Sequence, residues 1–221
     1  MGLDMYLNRY PKLGLPVRTM DNIEAMWHWK EKGKDKEFTL EEWCDVKESE
    51  LPVKAVLDLC ELYRHLTYAA WDVEKRYPSY DMHDQVGYWR KANAIHGWFE
   101  RNVADGQLEN CEYYLVSKEH LESLRDTCKH VLDNSKLVAG KVVNGYSLEN
   151  GKWSPNYEDG LVIEDATACE EFLPTQDGFF FGSTEYNEWY LDDVKHTYEL
   201  CEKLLKETDF EQYELFYCAS W

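Results

Sequence analysis

Apolar and polar residues alternate over 2–8, with Leu3, Met5 and Leu7 on one side and Gly2, Asp4 and Tyr6 on the other. That period of two predicts a half-buried strand. Pro11, Gly14 and Pro16 then break the chain. Over 18–80 the pattern turns helical. Ile23, Met26 and Trp27 outline one helix, and Thr39 with Glu42 forms a capping box for a second. Val56, Leu59, Tyr63, Leu66 and Ala70 keep the helical step of a third. Trp89, Ala92, His96, Phe99 and Val103 repeat steps of three and four, predicting a helix over about 87–104. On it, Arg90, Asn93 and Gly97 share a polar face, and the glycine leaves room for something to approach.

Further along, Tyr113 to Val116 reads as a short strand, and Ser117 as the cap of a helix burying Leu121, Leu124, Cys128 and Val131. The dipeptides Asn144-Gly145, Asn150-Gly151 and Asp159-Gly160 mark 137–163 as turns and hairpins. Residues 166–172 read as a helical turn, and 178–182 as a brief strand-like run. Ser183 or Thr184 caps a helix over about 186–207 with the stripe Leu191, Val194, Tyr198, Cys201 and Leu205. Residues 213–220 alternate as a last strand. The order of elements predicts an α+β fold. Its small, mostly antiparallel sheet holds the N- and C-terminal strands and is packed by several helices.

Composition narrows the function. The chain has 221 residues and a formal net charge of -19, from 43 acidic and 24 basic residues. Such a surface repels nucleic-acid phosphates and anionic membranes, so neither is expected as a direct partner. Seven cysteines, none spaced C-x-x-C, argue against a disulfide framework or zinc knuckle and for a reducing cytosol. The N-terminus lacks the basic and apolar regions of a signal peptide. No metal site and no cofactor are assigned, since H-E-x-x-H, G-x-S-x-G and G-x-G-x-x-G are all missing. The sequence leaves assembly into a homo-oligomer undecided.

Three stretches, MGLDMYL, YWRKANAIHGWF and LPTQDGFFFGSTEYNEWY, together with the aromatic-Ser-Trp ending, resemble an uncharacterised family of small proteins from bacteria and their phages. The resemblance covers 1–8, 86–134 and 162–221. It implies a phage or prophage origin, hence the host cytoplasm as location, and makes 9–85 a helical insertion in a single domain spanning 1–221. It brings no reaction with it.

Eight residues are candidates for a ligand site. Arg90 offers a planar fork of donors to phosphate or carboxylate, and Asn93 a donor and an acceptor to a base edge. His96 is either a ligand contact or a satisfied core histidine. Ser183 and Thr184, after Gly182, would open a helix whose free N–H groups bind an anion; the ordinary alternative is a simple cap. Tyr186 and Trp189 would line the mouth and stack a flat ring. Asp4 would pair with Arg90 or serve as a base. These residues suit an anionic, nucleotide-like small molecule, and a phage protein capturing one would blunt a host defence signal. A hydrolase or transferase acting on a phosphorylated small molecule, with Asp4 or His96 as acid or base, is the second reading. An acidic inhibitor covering a basic partner is the third.

Overall fold

The structure, a computed structural model, describes residues 2–12, 17, 83–149, 151–178 and 180–221. The helices expected within 18–80, and with them nearly all of the expected insertion, lie outside the described residues. The chain divides into two compact units. One is Met1–Leu7, Gln85–Phe210 and Leu215–Trp221; the other is Asn8–Asp84 with Glu211–Glu214. In the second, Arg9 pairs with Asp84 at 2.7 Å and lies over the Tyr213 ring.

The elements run β1 (Asp4–Pro11), β2 (Asp84–Arg90), α1 (Asn93–Asn102), β3 (Tyr114–Val116), α2 (Lys118–Asn134), β4 (Leu137–Glu149), β5 (Lys152–Ile163), α3 (Thr167–Phe172), α4 (Glu188–Glu207) and β6 (Tyr213–Ser220). Four strands make one sheet in the order β2-β1-β6-β3, which places the first and last strands side by side. β3 runs antiparallel to β6, with Tyr114 opposite Tyr217. This is the expected α+β architecture with antiparallel sheets.

Alternation decides which face of the sheet is inside. Leu3, Met5 and Leu7 of the first strand region and Leu215, Tyr217 and Ala219 of β6 are all buried. They meet α1, α2 and α4 in one core. Each large apolar side chain so buried contributes about 1.5–3 kcal/mol. α2 is capped as expected: Ser117 accepts from the His120 N–H, and the His120 side chain accepts from the Ser117 N–H. Its buried residues are Leu121, Leu124, Cys128 and Val131. In α4 the buried stripe is Tyr190, Val194, Thr197, Cys201 and Leu204, rotated from the one expected. The polar tips of Tyr190 and Thr197 find partners inside, the Leu173 carbonyl and the Trp89 indole N–H. Leu191, Tyr198 and Leu205 are left half-buried at the edge of the stripe.

Three other expectations need correction. The helix over 87–104 is a strand followed by a helix. Gly87 and Trp89 point inward and Tyr88 and Arg90 outward, so 84–90 alternates and joins β1. Lys91 turns the chain with φ +60° before α1 begins at Asn93. Arg90 and Asn93 therefore share no helix face. Nor is α1 amphipathic over its first two turns, for residues 93–99 are all buried. The three Gly dipeptides of 137–163 are not three turns. The hairpin closes where Glu149 pairs with Lys152. Gly145 (φ +87°) lies in a bulge of β4, and Gly160 stands mid-strand, where a Cβ would strike Val142. The strand-like run expected at 178–182 is a loop over its described residues.

Candidate functional site

A cavity of about 400 Å³ opens where the β2–α1 junction faces the start of α4. Arg90 and Lys91 supply cations to its wall. Their backbone is held firmly: the Lys91 N–H donates to the Leu3 carbonyl, and the Lys91 carbonyl accepts from the Asn93 N–H. Gly182, itself at φ +94°, packs directly on Lys91; a Cβ there would lie 3.2 Å from the Lys91 carbonyl oxygen. Two left-handed residues thus fit against each other, one of them non-glycine. Such conformations persist where the surroundings enforce them. Arg90 is exposed and makes no ion pair among the described residues.

The opposite wall begins at Asn187, the N-cap of α4. Its Oδ1 accepts from the Trp189 and Tyr190 N–H groups at 3.1 and 3.3 Å. The residue is 2% exposed, and its Nδ2 is buried with no hydrogen-bond partner among the described residues. A buried amide donor left in this state costs about 1–3 kcal/mol. Beyond it the wall turns acidic, with Glu185, Asp192 and Asp193. Glu185 is engaged by the Val143 N–H. Burial, and secondarily the neighbouring Asp192 charge, push Asp193 up to about 6. Trp189, 46% exposed, flanks the opening.

Of the eight candidates, Arg90, Asn93, Ser183 and Trp189 line this cavity; Asp4, His96, Thr184 and Tyr186 do not. Several expected roles change. Asn93 cannot read a base edge, because its Nδ2 donates to the Phe181 and Ser183 carbonyls and its Oδ1 accepts from the Gln176 N–H. It clamps the 176–183 loop onto α1. The space at Gly97 is taken by Arg101 and Gln176, each 2.9 Å from where a Cβ would sit. Neither Ser183 nor Thr184 caps α4. Ser183 Oγ accepts from the Glu185 N–H, and the Thr184 carbonyl accepts from Thr175. The free N–H groups expected there are largely satisfied by Asn187 instead.

His96 is a core histidine. It is 2% exposed, its Nδ1 lies 2.8 Å from the Tyr217 hydroxyl, and Phe181 and Trp221 meet its ring edge-on. Burial holds it down at about 4, so it is neutral near pH 7. Asp4 accepts from the Tyr88 hydroxyl rather than pairing with Arg90, since Tyr88 shares the outer face of the sheet. That bond raises the Tyr88 hydroxyl above its usual range. Tyr186 accepts from the Thr175 N–H and packs against Tyr190.

The residues missed by sequence reasoning are Lys91, Asn187, Asp192 and Asp193. Asn187 had a signal, since Asn ranks with Ser as a helix cap and directly precedes the apolar repeat. The two aspartates had none, for adjacent acids on a helix read as a solvated face. Among the described residues no three His, Cys, Asp or Glu side chains gather as a metal would require, and no helix is long and apolar enough to cross a membrane. No protein-family model, curated protein or solved structure matches the chain.

Proposed function

We propose that the protein captures a small anionic, nucleotide-like molecule in this cavity. The observation that carries the reading is a cavity where the cations Arg90 and Lys91 meet the start of α4, with Arg90 exposed and in no ion pair among the described residues. The positive end of α4, a 20-residue helix, adds to the same attraction. Trp189 gives a flat ring somewhere to stack. A volume of about 400 Å³ falls in the ordinary range of small-molecule sites. The resemblance to bacterial and phage proteins extends the reading to withdrawal of a host nucleotide signal from the cytoplasm.

Thermal unfolding of the full chain against mononucleotides, cyclic nucleotides and inorganic phosphate tests this. A bound anion at 100 times its Kd should stabilise the fold by about 2.7 kcal/mol. Arg90→Ala should abolish the gain without lowering the stability of the unliganded protein. Silence toward every phosphate-bearing compound, with no small molecule co-purifying, would remove the reading.

One observation supports turnover as a second reading. Asp193, raised toward neutrality inside the cavity, is the residue suited to move a proton. Asp4 and His96, the acid-base residues expected from sequence, stand outside it. A product released from a bound nucleotide and seen by mass spectrometry, absent with Asp193→Asn, would favour an enzyme over a capture protein.

A further inference from the structure

The cavity is not uniformly positive. Arg90 and Lys91 lie on one wall, while Asp192 and Asp193 lie on the other, a turn of α4 below Asn187. A ligand that was anionic throughout would meet carboxylates at its far end. Inside a partly closed cavity that repulsion is screened far less than on the open surface. The walls therefore ask for a molecule with two unlike ends. Carboxylates accept hydrogen bonds and attract positive charge; they donate nothing when ionised.

We infer that the ligand carries N–H donors or an ammonium group at the end away from its anion, and that Asp193, supported by Asp192, receives them. This rests on the capture reading and narrows it to a class. A guanine edge, with adjacent ring N–H and amino donors, matches a single carboxylate in bidentate fashion. A phosphorylated amine offers the same chemistry as a point charge. Arg90 and Lys91 then hold the phosphate, and Asp193 fixes the orientation. Specificity of this kind comes from the penalty on the wrong ligand: one lacking donors leaves the carboxylate desolvated and unpaired.

Two matched pairs test the class by isothermal titration calorimetry on the full chain. GMP is compared with purine riboside 5′-monophosphate, which keeps the stacking ring but lacks its N–H donors, and phosphoethanolamine with ethyl phosphate. In at least one pair the donor-bearing member should bind at least tenfold tighter, and which pair shows it separates the base edge from the ammonium. Asp193→Asn should erase that ratio, weakening the donor-bearing member and tightening its donor-free partner as the carboxylate's repulsion is relieved. Circular dichroism confirms that the variant folds, and the wild-type ratio stands without it. Equal affinities within both pairs, with the phosphates still bound, would overturn the class and leave anion capture intact. No binding by any of the four would overturn both.

Discussion

Two asparagines begin the two helices that face each other across the cavity, and they differ in one respect. Asn93, at the start of α1, has both side-chain atoms engaged. Asn187, at the start of α4, has only its oxygen engaged. The contrast extends to their surroundings. Behind Asn93 lies an aromatic cluster in which His96 bonds to Tyr217 and Phe99 stacks on Tyr217 at 3.9 Å. Around Asn187 lie an arginine in no ion pair among the described residues, a strained lysine and a carboxylate pushed toward neutrality. Residue chemistry alone does not mark a binding region. What marks it is an open cavity with cations on its wall, Arg90 among them exposed and in no ion pair among the described residues.

The contrast breaks first at Phe99. Removing its ring in Phe99→Ala should destabilise the protein by about 3–5 kcal/mol, the usual cost of emptying an aromatic core position. Denaturant unfolding would show it. Arg90→Ala, some residues away on the cavity wall, should stay within about 0.5 kcal/mol of wild type, as surface changes do. Similar losses from the two would mean that the cavity wall is core.

Acid should separate the regions in opposite directions. His96 is held at about 4 against an ordinary 6.5. The unfolded chain takes up the proton first, so this stability is whole above pH 6.5 and is lost as pH falls through about 4. Its size is about 3 kcal/mol. Asp193 behaves inversely. Its folded value is raised from 3.8 to about 6, so its contribution is whole below pH 3.8 and is lost as pH rises through about 6. Between pH 4 and 6 the two slopes oppose each other. Asp193→Asn should therefore steepen the acid loss of stability, and His96→Asn should flatten it. Urea midpoints measured at half-unit steps of pH would reveal either change, and identical profiles for all three proteins would contradict both assignments.

A smaller loss is expected where the clamp is cut. Asn93→Ala leaves two carbonyls and the Gln176 N–H without their partner, a cost of about 1–3 kcal/mol. It should also weaken ligand binding, because the 176–183 loop carries Gly182 and Ser183 on the cavity wall. Hydrogen exchange should rise in that loop and stay unchanged in α2.

How much of this the sequence disclosed depended on how local the deciding interactions are. The cap and stripe of α2 and the alternation of β6 are written within a few residues of themselves, and both were legible. The stretch 84–93 was not. Its Trp89, Ala92, His96 and Phe99 fit a helix, while Gly87 and Trp89 against Tyr88 and Arg90 fit a strand; pairing with β1, some eighty residues earlier, decides. The site divides in the same way. Arg90, Asn93, Ser183 and Trp189 were visible as residue types. Asp192 and Asp193 gain meaning only because the loop before α4 folds onto α1 and closes a cavity over them.

The finest probe of the comparison changes one atom of Asn187. Asn187→Ala removes the cap and should cost about 1 kcal/mol of stability, with or without ligand. Asn187→Asp keeps an oxygen where Trp189 and Tyr190 donate, and sets a negative charge at the positive end of α4. The unliganded protein should then keep its helix cap, with the gain from the helix dipole offset by desolvation of a buried carboxylate. It also adds a negative charge to a residue that lines the cavity, where it would repel an anion. Phosphate-dependent stabilisation should vanish in this variant although its fold is intact. A capping role alone predicts the reverse order, with Ala harmful and Asp harmless in every assay. Retention of ligand stabilisation by Asn187→Asp would therefore place the anion elsewhere in the cavity, nearer Arg90 and Lys91 than the start of α4.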